Sequence, residues 1–403
     1  MMNIKYNKDK DFVMNKNKNA RVIGFITVMS YIANYFLRNM LGVLTPSMLN
    51  EASYTKEYIA ILSSSYMVSY AVGQLLNGVL GDILKPKNIV LIGLLAAGTV
   101  MIIFPFAGSN VLQIACFIIL GYSLSMLRGP LMKIITENTE PDHARIICVF
   151  FTFASCVGPL IASIIAMIFN WHAAFVAAGV LTFLVGVGAY LSLTYLENRG
   201  IVSYNQLKEI SASGLLEVFK IEGISFYLII VSLAEVFGST LTFWMPTILN
   251  EYILLSGNAS NFVFSFIAFM SAVMPFITLT IYKLMNENDV LLIRLSFLIT
   301  AVSFAGMLII PFGICKVVFL LIIKMMNGII TALLWSIYIP GLGKTGRVSS
   351  INGIMDCTGY IAASIATSVF AFAVTNLGWN GSIIVWVLLS SLGIVATFTR
   401  KSV

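Results

Sequence analysis

Arg38 stands near the middle of an apolar run of about 26 residues, and Arg128 and Lys324 sit inside two other such runs. Glu235 and Asp356 are embedded in the same way further along the chain. A lone charge at mid-bilayer costs roughly 2.5–3.5 kcal/mol on insertion scales, so side chains of this kind face a cavity or a partner. A guanidinium presents a planar fork of donors that matches carboxylate or phosphate, which makes Arg38 the leading candidate for gripping an anion. Arg128, in Leu127-Arg128-Gly129-Pro130, is either a second anion contact from across a cavity or a member of a gating ion pair. A buried carboxyl is pushed toward protonation at working pH, so Glu235 and Asp356 are candidates for proton coupling; Asp356 alternatively pairs with Arg128 or Lys133. Lys324 is read as a partner for Glu235 or as a side chain reaching for the interface, and Lys133 as one that snorkels to the cytoplasmic interface. Tyr31, Tyr35, Tyr66, Tyr70 and Trp244 supply aromatic faces, at least two of which are expected to line the cavity. Lys324 apart, cations thus fall in the first half and acids in the second. That arrangement suits a zwitterion, or an anion whose entry is accompanied by protons.

Other chemistries find no residues. No Gly-x-x-x-x-Gly-Lys-[Ser/Thr] loop is present for ATP. Two histidines give no metal cluster, and no Ser/His/Asp set assembles. No cofactor, no metal and no enzymatic activity are expected. Cys116, Cys148, Cys156, Cys315 and Cys357 are scattered without pairing and read as small core residues.

The elements that must hold these charges are membrane helices. Of 403 residues, 59% are hydrophobic and only 10% charged, with mean hydropathy +0.94; soluble domains carry about 25% charged residues. Twelve spans are expected, at 22–47, 56–80, 88–107, 111–135, 146–168, 173–196, 224–249, 260–284, 290–311, 317–339, 348–374 and 381–399. Each is long enough to cross about 30 Å of hydrocarbon. The net charge of +7 follows topology rather than nucleic acid. With the N-terminus inside, Lys56 and Lys316 lie outside, Arg38, Arg128, Lys133 and Lys324 fall in spans, and the other 18 of the 24 Lys and Arg sit in cytoplasmic segments or at their edges. The lysine-rich stretch 1–21 has no short apolar core and is read as a cytoplasmic tail rather than a cleaved signal.

A weak internal repeat organises the spans. Thr45-Pro46-Ser47-Met48-Leu49-Asn50-Glu51 returns as Met245-Pro246-Thr247-Ile248-Leu249-Asn250-Glu251, and Asn170-Trp171-His172 has a looser counterpart in Gly378-Trp379-Asn380. The polar stretch 197–223 separates a six-helix bundle at 22–196 from another at 224–399, with a short cytoplasmic terminus at 400–403. Two such halves would place a substrate near the midplane between them. Small residues on spans five and eleven, among them Gly158, Ala162, Gly353 and Gly359, allow close helix approach. His172 is placed at the outer interface in a neutral capping role.

Gly78-Val79-Leu80-Gly81-Asp82-Ile83-Leu84-Lys85-Pro86-Lys87 resembles the loop signature of the major facilitator superfamily. Within it, the chain is similar to the organophosphate/phosphate antiporters through Tyr35-Phe36-Leu37-Arg38 before Pro46, Asn170-Trp171-His172-Ala173-Ala174, Trp244-Met245-Pro246-Thr247, and Gly359-Tyr360 with Gly378-Trp379. The resemblance implies conformational gating by Asp82 with Lys85 and Lys87, and a substrate site holding Arg38. It also implies a second arginine on span seven, a histidine on span five and a lysine on span two, where this chain has Gly238, Ser155 and Gln74. Gln74 remains a candidate substrate contact with Arg38, Arg128, Tyr35, Tyr70 and Trp244. Three replaced groups of four argue against a dianionic phosphate monoester held in that family's manner.

The expectation is therefore an all-α membrane protein of twelve helices in two pseudo-symmetric bundles. It would act as a monomer in a bacterial cytoplasmic membrane, surrounded by lipid, with both termini inside. It would move a small organic anion or zwitterion by alternating access, with protons as the coupling ion. The rival readings are a phosphate-ester/phosphate antiporter and a transporter-shaped receptor for an organic anion.

Overall fold

A computed structural model describes residues 2–48, 54, 56–206, 218–221, 223–255 and 257–400. Leu49-Asn50-Glu51 of the first repeat copy and Lys208-Glu209 of the central linker lie outside the described residues. Twelve helices carry the described chain: α1 Met2–Met48, α2 Lys56–Ile83, α3 Pro86–Ile103, α4 Asn110–Ser125, α5 Arg128–Asn138, α6 Pro141–Ile168, α7 Trp171–Asn198, α8 Ile224–Thr247, α9 Gly257–Leu284, α10 Asp289–Ile309, α11 Gly313–Ala332 and α12 Val348–Phe398. Among the described residues, ten helical segments are long and apolar enough to cross a membrane. The two remaining expected spans, 56–80 and 348–374, are helical but richer in Ser, Tyr, Asn and Gln.

Helices and spans do not correspond one to one, for local reasons. The first helix starts at Met2 rather than near 22, because the polar tail contains no Pro or Gly to stop it. Span four, expected as one piece, is broken into α4 and α5 around Met126 and Leu127. Pro130 has no N–H to give the Met126 carbonyl, and its ring crowds that carbonyl. The chain tightens there, Met126 N–H donating to Ser123 O at 3.1 Å and Leu127 N–H to Leu124 O at 3.3 Å. Spans eleven and twelve, conversely, join in α12 with a sharp bend at Gly378, whose φ of 68° favours glycine.

The chain forms two compact units, Met1–Leu215 with Ile339–Ile354, and Leu216–Tyr338 with Met355–Val403. In the first, α1 packs on α6 and α7, α2 on α4, and α3 on α7 and α4. Gly158 lets α6 meet the α1 backbone at Tyr35 and Phe36, where any Cβ would collide. In the second, α11 packs on α10, α9 and α8, and an aromatic ladder joins α8, α10 and α12. Phe237 meets Phe304, which stacks on Trp386 at 5.1 Å; Trp386 stacks on Phe370 at 4.3 Å, and Phe370 meets Trp244 at 5.8 Å. Phe25, Val68, Leu160, Leu184, Leu388 and Val395 are exposed, as lipid-facing side chains are. After α8 and α11 the helix widens to π geometry, over Ile248–Tyr252 and Leu333–Tyr338.

Candidate functional site

Arg38 lies two turns beyond Tyr31 and one beyond Tyr35, so the three share a face of α1. On α2, Tyr66, Tyr70 and Gln74 repeat every four residues. The structure brings these faces together: the Arg38 guanidinium lies 5.8 Å from the Tyr35 ring centre and 5.5 Å from that of Tyr70. Tyr70 in turn stacks on Tyr66 at 5.7 Å. These separations are near the limit of cation–π attraction, about 6 Å, so the rings orient the guanidinium more than they neutralise it. Arg38 is half-buried, whereas Gln74 is fully buried with its Nε2 unpartnered among the described residues. Tyr31 packs instead, stacked on Phe151 at 4.4 Å. Ser155 turns back on its own helix, donating to Thr152 O.

Arg128 is the first residue of α5, immediately after the break in span four. A helix N-terminus carries partial positive charge, so guanidinium and helix end concentrate positive potential at one point, as anion sites do. The break is stitched by side chains from two neighbours. Asn34 Nδ2 on α1 donates to Leu124 O at 3.0 Å, and Asn77 Nδ2 on α2 donates to Ser125 Oγ at 2.7 Å. Neither asparagine stood out in the sequence as a functional candidate, although a buried amide in an apolar span is a signal that backbone is being satisfied. Asn34→Ala removes one donor to the Leu124 carbonyl, leaving the longer bond from Leu127 N–H, at about 0.5–1.5 kcal/mol; a lowered melting temperature of the purified protein is the expected result.

Asp82, Lys133 and the first turn of α12 meet at the end of α2. Lys133 Nζ lies 3.2 Å from Asp82 Oδ1 and also donates to Gly346 O at 3.2 Å. The Asp82 carboxylate accepts from Ser349 N at 3.2 Å and Ser350 N at 2.8 Å. Lys133 is 0% exposed, so the snorkelling expected of it does not occur: its ammonium finds a carboxylate closer than the interface. Burial pushes the Asp82 carboxyl above the usual carboxylate range, while Lys133 and Ser350 pull it back. Lys85 and Lys87 are not its partners. Both pair with Glu197 at the end of α7, Lys85 at 2.6 Å, and Lys87 also donates to Thr194 Oγ1. Glu137, unnoticed in the sequence, lies 3.8 Å from Lys133 and accepts from Asn205 N of the central linker. At the α7 start the cap is Asn170, which accepts from Ala173 N, while His172 is exposed and stacks on Trp171.

In the second unit, Glu235 is half-buried on α8, its Cγ 2.7 Å from where a Cβ on Gly359 would lie. Asp356, one turn earlier on α12, is buried. Trp244 closes the aromatic ladder. Lys324 on α11 is 9% exposed, and its ammonium donates to Thr242 Oγ1 at 2.9 Å and Gly238 O at 3.3 Å. It stays inside and does not reach out to an interface.

A model of the Major Facilitator Superfamily matches residues 27–367. Among characterised sequences, the chain is 25% identical over 193 residues to a probable hexose phosphate transport protein of Chlamydia pneumoniae, covering 47% of this chain and 42% of that one. It is 24% identical over 179 residues to the membrane sensor protein UhpC of Salmonella typhimurium, covering 40% and 37%. The matched stretches thus span about two fifths of those relatives. Solved structures share the fold at low identity. The human organic anion transporter MFSD10 (TETRAN) superposes with TM-score 0.71 at 14% identity over 95% of this chain and 99% of that one. FucP in the outward conformation gives 0.70 at 12%, over 96% and 100%. The all-helical fold and the family match over most of the length agree, and the chain belongs to the Major Facilitator Superfamily of membrane transporters.

Proposed function

We propose that this chain is a secondary active transporter that carries a small organic anion or zwitterion by alternating access, with protons as the coupling ion. The observation that carries the reading is Arg38, an oriented, half-buried guanidinium between Tyr35 and Tyr70. Gln74 on the same helix as Tyr70 offers a buried amide donor, and Arg128 at the start of α5 adds positive potential. Glu235 and Asp356 take up the coupling proton. The contact of Asp82 and Lys133 with the first turn of α12 acts as a conformational latch.

Uptake into proteoliposomes tests this directly. An inward proton gradient should drive accumulation of a sugar acid or zwitterion by the wild-type chain. Glu235→Gln is expected to keep exchange while losing gradient-driven accumulation; accumulation that survives would move the coupling to Asp356. The similarity to a probable hexose phosphate transport protein supports a second reading, phosphate-ester exchange. Under that reading, sugar phosphate would exchange for inorganic phosphate with no dependence on the proton gradient. The similarity to a membrane sensor protein supports a third, in which anions bind but no flux is measured.

A further inference from the structure

Lys324 is enclosed by one face of α8. Residues 235, 238 and 242 are spaced i, i+3 and i+7, so they form one stripe, and the ammonium touches it at the Gly238 carbonyl and the Thr242 hydroxyl. Glu235 lies on the same stripe, one turn before Gly238. Gly238 also lies close to Asn327: a Cβ there would sit 3.0 Å from Asn327 Nδ2, on the turn of α11 after Lys324. An ammonium has three donors, and Gly238 and Thr242 occupy two. Asn327 is buried, with its Oδ1 unpartnered among the described residues. Thr242 is exposed, and Glu235 and Gly238 are half-buried, so the cluster is reached from the α8 side.

We propose that Lys324 is the anion-binding group of the second unit, held ready by Glu235, and that anion and proton enter it together. The substrate anion takes the third Lys324 donor, and Glu235, relieved of its role as counter-charge, binds one proton and becomes neutral. Asn327 Oδ1 accepts from a donor of the same ligand, so the class is a hydroxylated organic anion. The other ionisable groups on helices packed against this stripe are Asp356, Cys357 and Tyr360 around Gly359 on α12, Tyr282 and Lys283 at the end of α9, and Cys315 and Lys316 in the first turn of α11. Among the described residues, only Lys324 supplies positive charge at the stripe itself; Lys283 is in the last turn of its helix and Lys316 in the first turn of α11. The inference rests on the anion-transport reading above and adds to it which group holds the anion in this unit.

The purified full-length chain is titrated with gluconate, glucose 6-phosphate and inorganic phosphate at pH 6 and pH 8, following thermal stabilisation. Wild type is expected to bind a hydroxylated anion about tenfold more tightly at pH 6. Glu235→Gln should bind at pH 8 as wild type does at pH 6, with the pH dependence gone. Lys324→Gln should lose at least tenfold at both values. Because Lys324→Gln alone leaves Glu235 without its counter-charge, the double variant E235Q/K324Q is measured as well. It should fold better than K324Q and still lose the anion. Anion binding unchanged in the double variant, or a pH dependence that survives in E235Q, overturns the proposal. If binding is lost in Arg38→Ala but kept in K324Q, the anion reading stands and Lys324 is structural. If no probe stabilises wild type at either pH, both readings fall.

Discussion

Arg38→Ala is expected to abolish substrate binding while the purified protein still elutes as a folded species. Arg38 is only half-buried, and its ring contacts with Tyr35 and Tyr70 are long. Truncation therefore removes little packing. What it removes is a charge-assisted donor pair, worth about 1.5–3 kcal/mol for each bond to an anion. It also leaves the ligand's charge without its partner in a poorly solvated place, an effect of about 2–5 kcal/mol. At about 1.4 kcal/mol per decade, the dissociation constant should rise at least a hundredfold. Arg38→Lys keeps the charge but not the planar fork, and a loss of about tenfold is expected. Binding to Arg38→Ala within threefold of wild type would assign the anion elsewhere.

The membrane fold was legible because it is written in composition: runs of apolar residues and the placement of Lys and Arg need no tertiary information. Arg38 was legible for the same reason, being a charge where none is tolerated without cause. The break in span four was harder to see. Its cause, Pro130, lies in the sequence, but the asparagines that satisfy the freed backbone come from α1 and α2, 96 and 53 residues earlier. The loop signature groups Lys85 and Lys87 with Asp82. Glu197, more than a hundred residues away, holds them, and Asp82 takes Lys133 instead. Lys324 shows the same limit. Gly238 reads as a missing cation, yet the Lys324 ammonium from α11 rests on its carbonyl. Sequence shows which charges are buried, whereas only helix packing shows which of them meet.

The Asp82 latch carries the largest expected effect on stability. Asp82→Ala strands the fully buried Lys133 ammonium and removes the acceptor for two N–H groups in the first turn of α12. Breaking a buried pair from one side costs about 3–5 kcal/mol, and losing a helix cap about 1 kcal/mol more. Glu137, at 3.8 Å from Lys133, offsets part of this. Against a total stability of about 5–15 kcal/mol, Asp82→Ala should lower the melting temperature sharply and reduce the yield of folded protein. Asp82→Asn should be milder, since one amide oxygen still accepts from Ser350. The pH dependence follows the same logic. Burial raises the Asp82 carboxyl in the folded chain above its unfolded value. Protonation is thus easier folded than unfolded, and the stability this residue contributes is present at low pH and lost as pH rises through the raised value. Acidification therefore neutralises Asp82 and weakens its hold on Lys133 without unfolding the protein. The double variant D82A/K133M removes both charges along with the acceptor, and should melt above Asp82→Ala. A double variant that melts no higher than Asp82→Ala would mean that the stranded Lys133 charge is not the source of the instability, and that the lost acceptor for the first turn of α12 is.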